Sequence, residues 1–600
     1  NYGVNYNFLS NEYGDTFIWR SPKEAYRPSA FNNMGREGNT FSMEPFFNYT
    51  NPDNNTSHKV KGRFYYRGEN IVSPTRQANL LEIMGNMGAD ASVISDMAGG
   101  NYSALLPLLP GLASGDLNGI VNGAFDVLGH VFPDATTAGY SDLIAWFMRN
   151  GVPSDLLSSV SDGQLPADLV PWLSGVVNEQ TEKTRVDKDF NYYIDYQFNK
   201  KFEDSQLTAG TTYEHTRNSS AMTGGHNSDN IALFFQYDHR FFDRLNVSVG
   251  VRGEYYRVDS MYREAETKIF GKKVPFKPVF RGGLNYELAE YSFIRASFGQ
   301  GYRYPSLVEK YARKDVGGVG VYPNGNLNAE KGFNAEIGFK QGYQIGNFMG
   351  LFDIAGFYTQ YKDMIEFRFG IFDNSTSEYI NSTGQMFSML LAGNTPGIGA
   401  QFYNVDKARI YGVDINTNGA WVINPSTRVR YNLGYVFIEP EDANYKKKNT
   451  EEAQYTDPLQ MKEKSNTSKY LKYRQKHTAK GSFDLEWNRF SIGTNMTWKS
   501  RTLAVDYIMV DERGKPDGKY QVMDYVRDIL FGNVDGENME SYWAQKNKAY
   551  FVMDLRGGVT VTDNIRLQCI VYNLLNKEYS TRPMAVGAPR TFMVQLNLKF

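Results

Sequence analysis

The chain has 600 residues, with 64 Lys and Arg against 66 Asp and Glu, and it is rich in aromatic side chains: 42 Tyr, 39 Phe and 7 Trp. A net charge of -2 without a basic block leaves no electrostatic footprint for nucleic acid, and the single cysteine, Cys569, allows no intramolecular disulfide and no paired-cysteine metal or redox site. No apolar run approaches the ~20 residues that a bilayer-crossing helix needs. The nearest, Ala104 to Ala113, is short and broken by Pro107 and Pro110, and the opening Asn1-Tyr2-Gly3 carries no signal-peptide pattern.

Along the chain the dominant signal is a period of two. It predicts strands near 40–50, 58–67 and 189–199; in the last of these Phe190, Tyr192, Ile194, Tyr196 and Phe198 alternate with mainly polar neighbours. Further strands are predicted near 205–216, 230–241, 245–255, 278–288, 291–302, 333–345 and 349–366. The series continues near 409–423, 427–438, 479–487, 490–499, 549–561 and 564–574, and ends at 591–600, where Phe592, Val594, Leu596, Leu598 and Phe600 share one face. One or two more strands are expected before Phe41.

Two features separate this pattern from a soluble sandwich. Short polar turns near Glu203, Asp243, Glu290, Gly346, Pro425, Asn488 and Asp563 alternate with long segments at 68–187, 217–229, 257–277, 303–332, 367–408, 439–473, 500–548 and 577–589. Short turns at one end and long loops at the other are the pattern of outer-membrane barrels. The polar face carries Arg428, Arg430, Lys480, Asp484, Glu486, Asp554 and Arg556, while the apolar face is broad and aromatic. Facing lipid, such a face needs no packing partner, and the strands must close because hydrocarbon leaves no partner for an open edge. The expected fold is all-β, a transmembrane antiparallel β-barrel in the bacterial outer membrane. Leu596, Leu598 and Phe600 are the expected assembly strand.

Phe298-Gly-Gln-Gly-Tyr-Arg-Tyr-Pro-Ser-Leu-Val-Glu-Lys-Tyr311 and Pro323-Asn-Gly-Asn-Leu-Asn-Ala-Glu-Lys331, with Glu336 following, resemble the arginine/proline/serine and asparagine/leucine boxes of TonB-dependent outer-membrane receptors. Phe402 to Asp414 resembles the entry to a late strand of that family. Val571-Tyr-Asn-Leu-Leu-Asn-Lys-Glu-Tyr579, with Gly587, Pro589, Arg590 and Phe600, resembles its C-terminal end. The resemblance implies a 22-stranded barrel around an N-terminal plug, importing a scarce ligand when the TonB complex pulls on the plug. No TonB box or plug precedes the first strand here, so the chain is expected to begin inside the barrel. Haem-taking members carry a histidine between the two boxes; Leu307 to Asn326 has none, which counts against haem.

Residues 76–180 break the pattern. They hold Arg76 and Arg149 against eleven acidic residues, and Leu117, Ile120, Val121 and Phe125, like Leu143, Ile144, Trp146 and Phe147, recur at helical spacing. The expected organisation is barrel strands in 1–70, an acidic, mainly helical extracellular loop insertion in 71–186, and barrel strands with long loops in 187–600. So long an insertion points to a lid or to a dock for a surface lipoprotein or other envelope subunit, against a loop that packs only on itself.

Chemistry is otherwise sparse. The six histidines, His58, His130, His215, His226, His239 and His477, fall in different segments, so no metal site, cofactor or hydrolytic triad is expected and the chain is not read as an enzyme. Gly317-Gly318-Val319-Gly320 lacks a phosphate-loop ending and is read as a mobile loop. Glu439, Glu441 and Asp442 are read as a solvated charged loop rather than a calcium site. The candidate ligand surface is Arg303, Tyr304, Tyr311, Tyr322, Phe369, Tyr379, Phe402 and Tyr403, since tyrosine offers contact area and a hydrogen bond at low entropic cost. Arg303 and Glu309 are alternatively an internal ion pair. The rival to active uptake is a receptor-like barrel that anchors a larger envelope complex.

Overall fold

The structure, a computed structural model, describes chiefly residues 1–15, 34–72, 185–443, 468–506 and 539–598, apart from short stretches within them. The alternating segments form long antiparallel strands, each hydrogen-bonded to the next in chain order. They are β1 (Tyr2–Asp15), β2 (Met34–Asn51), β3 (Thr56–Val72), β4 (Arg185–Lys201), β5 (Ser205–Ser220), β6 (Gly224–Phe241), β7 (Leu245–Val258), β8 (Phe276–Ala289) and β9 (Ser292–Arg303). The meander continues through β10 (Glu330–Ile345), β11 (Phe348–Asp373), β12 (Pro396–Asn424), β13 (Thr427–Asp442), β14 (His477–Trp487), β15 (Phe490–Lys499), β16 (Tyr550–Thr562), β17 (Ile565–Tyr572) and β18 (Thr591–Leu598). With four short loop strands these make one sheet of 22 strands among the described residues. The fold is the all-β barrel architecture expected.

Exposure shows which way the alternation points. Val249 is 51%, Phe483 39% and Leu596 58% exposed, at positions that a sandwich would bury. The opposite face carries cross-strand polar contacts. Arg295 on β9 donates to both carboxylate oxygens of Asp353 on β11 at 2.8 and 2.7 Å and to Glu336 on β10 at 3.2 Å. Arg556 on β16 likewise grips both oxygens of Asp484 on β14. Apolar outside and ion-paired inside is the reverse of a soluble fold.

The short turns fall where expected and use residues that tolerate the left-handed region, such as Gly346 at φ +59 and Asn488 at φ 50. Two loop expectations need correction. The segment 217–229 is not a long loop, because β5 and β6 pair as far as Ser220 and Gly224. Much of 367–408 is also strand, since β11 and β12 pair from Phe348↔Trp421 up to Asp373↔Pro396. Above the membrane both faces of a hairpin meet water or loop, so the alternation that marks a strand disappears. Part of the glycine-rich segment is strand too: Val319–Tyr322 runs parallel to Ile398–Gln401. A Cβ on Gly399 would lie 2.0 Å from the Gly320 carbonyl oxygen, so this close approach requires glycine. Nearly all of the acidic insertion, and Phe600, lie outside the described residues. Leu596 and Leu598 sit in β18 opposite Leu567 and Ile565.

Candidate functional site

The site is built on the hairpin of β11 and β12, which are 26 and 29 residues long. About 9–11 tilted residues cross a bilayer, so roughly half of this hairpin projects on the long-loop side. The projection begins between the pairs Lys362↔Lys407 and Met364↔Val405, where Asp363 takes φ 58 and its carbonyl accepts from Asn404 Nδ2 at 2.7 Å. Around it Met364, Val405, Ala408 and Leu471 form a small buried core. Such a core is what lets a loop region hold a shape outside the membrane.

The tip is fixed by polar contacts. Asp373 accepts from the Ser375 and Thr376 amides at 2.7 and 3.0 Å and from Asn394 Nδ2 at 2.8 Å. Burial alone would raise its pKa, but these bonds hold the carboxyl below its ordinary value. Tyr322 stacks on Phe372 with centroids 4.6 Å apart and donates to Asn374 Oδ1 at 2.7 Å. Gln401 donates to the carbonyls of Pro323 and Ser377.

The eight candidate residues divide into two groups. Tyr322, Phe369, Tyr379, Phe402 and Tyr403 gather on the projecting hairpin and the short strand beside it. There the Arg368 guanidinium lies 3.7 Å from the Tyr379 ring centroid and 5.4 Å from that of Tyr403. Phe402 sits opposite Phe367, and Phe367 meets Phe369 edge to face. Tyr322 is buried and serves the tip, whereas Tyr379 and Tyr403 are half-buried.

Arg303, Tyr304 and Tyr311 belong to the neighbouring loop. Arg303 donates to Glu309 at 2.6 Å and to Glu330 at 2.7 Å, the ion-pair alternative considered from the sequence. Glu309 also closes a capping box with Ser306 at the start of the five-residue helix α1 (Leu307–Tyr311). Burial would raise the Glu309 pKa, yet Arg303 and the Ser306 amide bring it below the ordinary value. Glu330 in turn accepts from the Ile365 amide at 2.6 Å, so Arg303 ties the loop to the projecting hairpin. Tyr304 stacks on Tyr256, and Tyr311 on His226, which is itself bonded to Asp259 at 2.7 Å.

One cluster was not anticipated from the sequence. The Lys472 ammonium sits 3.2 Å from Asp506 Oδ1 and 3.8 Å from Glu366 Oε2, and it also donates to the Phe367 carbonyl. Tyr473 donates to Asp506 Oδ2 at 2.8 Å. Burial pushes the Glu366 pKa up, and the pull of Lys472 does not cancel it. Burial lowers Lys472, but Asp506, Tyr403 and Glu366 outweigh that and hold it above its ordinary value. Ser-Lys-Tyr-Leu-Lys-Tyr-Arg, from Ser468 to Arg474, reads as a polar loop because the partners of Lys472 and Tyr473 lie more than thirty residues away. Glu439, Glu441 and Asp442, expected in a solvated charged loop, are instead buried at the end of β13, where Glu439 and Glu441 bond Lys476, Lys469 and Arg409 at 2.7–2.8 Å.

Comparison with known proteins fixes the class. The family model described as TonB dependent receptor-like, beta-barrel matches residues 1–574, and the chain belongs to this family. It is thus a protein of the bacterial outer membrane. A hemoglobin and hemoglobin-haptoglobin-binding protein of Haemophilus ducreyi is 22% identical over 302 residues, 50% of this chain and 26% of the relative. Hemoglobin-haptoglobin utilization protein B of Neisseria meningitidis is 23% identical over 305 residues, 50% of this chain and 31% of the relative. These matches span under a third of each relative's length. Among solved structures, the ferric-catecholate import receptor Fiu of E. coli superposes with a TM-score of 0.52 at 12% identity, covering 100% of this chain and 72% of that one. The siderophore receptor PirA of Acinetobacter baumannii gives 0.51 at 12% identity, covering 100% and 68%. At such identity the two structures speak for the fold alone.

Proposed function

We propose that this barrel belongs to an active transporter that imports a scarce, iron-bearing ligand, captured by the loop-side head and passed through the lumen when the TonB complex pulls on a plug. The observation that carries the reading is Arg368 held between Tyr379 and Tyr403 on a hairpin that projects beyond the membrane. A cation between two half-buried rings offers an anionic or aromatic ligand both charge and contact area. The names of the Haemophilus and Neisseria relatives support haem-bearing protein as the cargo class. The histidine-free segment Leu307 to Asn326 favours recognition of such a cargo by aromatic and charged contacts over iron ligation in that loop. Residues 76–180 supply a further contact with cargo or with a surface lipoprotein.

The test is surface binding of labelled haemoglobin, and separately of a labelled ferric catecholate, to cells carrying the full-length protein. Saturable binding of one of them is expected, weakened at least tenfold by the paired substitutions Arg368→Ala and Tyr403→Ala at unchanged barrel abundance. Unchanged binding in that variant removes the head from the capture step. Absence of any saturable binding to the wild type favours the structural-anchor alternative.

A further inference from the structure

On the outward face of β10, β11 and β12, Lys331, Lys362 and Lys407 stand directly opposite one another: Lys331 pairs with Lys362, and Lys362 with Lys407. Like charges in direct cross-strand register are destabilising, since opposed Cβ atoms lie only about 4.5–5.5 Å apart. Three other charged pairs in register between β9 and β13 are of opposite sign: Arg303 faces Glu330, Lys340 faces Asp353, and Arg409 faces Glu441. The lysine row therefore departs from the local rule, and Lys362 and Lys407 are exposed.

Its level in the wall identifies what it meets. Tyr358 and Tyr411, themselves a cross-strand pair on the same outward face, lie four residues below Lys362 and Lys407 towards the short turn. Outward tyrosines mark the edge of the hydrocarbon band. Lys362 is fourteen residues beyond Phe348, which at ~3.3 Å per residue and a tilt of ~40° is roughly 35 Å from the turn. The apolar band is only about 25 Å tall, so the row stands among the headgroups of the outer leaflet.

We propose that Lys331, Lys362 and Lys407 form a binding site for the phosphate groups of an anionic glycolipid in the outer leaflet, whose negative charge offsets the repulsion within the row. The acyl chains lie along the apolar wall below, over Tyr358 and Tyr411. The lysine stems can extend along the wall and lift their ammonium groups to the phosphate level.

The test uses the full chain, purified in detergent and exchanged into phosphatidylcholine nanodiscs with or without lipid A, with bound lipid A counted by native mass spectrometry. Wild type should retain lipid A and lose it as ionic strength rises. A lysine beside an anionic lipid surface contributes about fivefold in affinity, so Lys362→Gln should weaken retention about fivefold and the triple Lys→Gln variant on the order of a hundredfold. Lys480→Gln, on the lumen face, should change nothing. Dephosphorylated lipid A should bind the wild type no better than it binds the triple variant, and inorganic phosphate alone should not displace lipid A. Equal retention by wild type and Lys362→Gln, or retention insensitive to salt, overturns the proposal. If inorganic phosphate displaces lipid A efficiently, the row is an anion site rather than a lipid site and the proposal also fails. Should the triple variant not fold, the single variant and the salt series on the wild type decide.

Discussion

Lys472 and Asp506 come from two different long loops, yet their charged groups meet at 3.2 Å with side chains only 2% and 1% exposed. Removing one partner of a buried pair leaves an uncompensated charge at a cost of about 3–5 kcal/mol. Lys472→Met should therefore loosen the segments around Ser468–Lys476 and Thr502–Asp506 while the barrel wall stays intact. Hydrogen exchange should rise in those segments and not in β4 to β8. The double substitution Lys472→Met with Asp506→Leu should recover much of the lost protection.

The same cluster sets a pH response. Burial raises the Glu366 pKa, so in the folded head its stabilising, protonated form is present at low pH and is lost as pH rises through the raised value. Asp373 and Glu309 are shifted the other way, and their contribution is lost as pH falls below the ordinary carboxylate range. The head should accordingly be tightest between these limits. Glu366→Gln should remove the loosening on the alkaline side and leave the acid limb unchanged, as read by limited proteolysis across pH.

Arg303→Ala releases Glu309 and Glu330 together. Because the Arg303 side chain is 47% exposed, solvent screening keeps the stability loss to about 1 kcal/mol. The effect should concentrate in mobility of the loop from Tyr304 to Ala329. Arg303→Lys should not restore order, since one ammonium cannot match a guanidinium that donates from two nitrogens to two carboxylates.

Sequence periodicity carried most of the wall because each strand sees lipid on one side and polar lumen on the other, as in Phe190 to Phe198. It failed above the membrane, where β11 and β12 run on with partners on both faces. Of the head, the aromatic loop residues were legible as a group, but their division was not. Nothing near Lys472 in the chain announces Asp506, and Arg303 reads equally as ligand contact or ion pair until Glu330 is seen beside it.

Neighbouring residues on β7 separate the two faces of the wall. Val249 points to lipid and Ser248 to the lumen. Val249→Arg should cost about 2–4 kcal/mol near the bilayer midplane, whereas Ser248→Arg should be nearly neutral. Unfolding of the refolded barrel in denaturant, followed by Trp fluorescence, measures both; equal losses would contradict the assignment of faces.

The most direct measurement is growth of iron-starved cells carrying the full-length protein, with haemoglobin or a ferric catecholate as the iron source, in strains with and without a functional TonB complex. The account predicts growth on at least one source only when TonB is intact, with the Arg368→Ala, Tyr403→Ala variant impaired on that same source. Equal growth with and without TonB, or no dependence on the protein for any source, would contradict active uptake and leave the barrel as an envelope anchor.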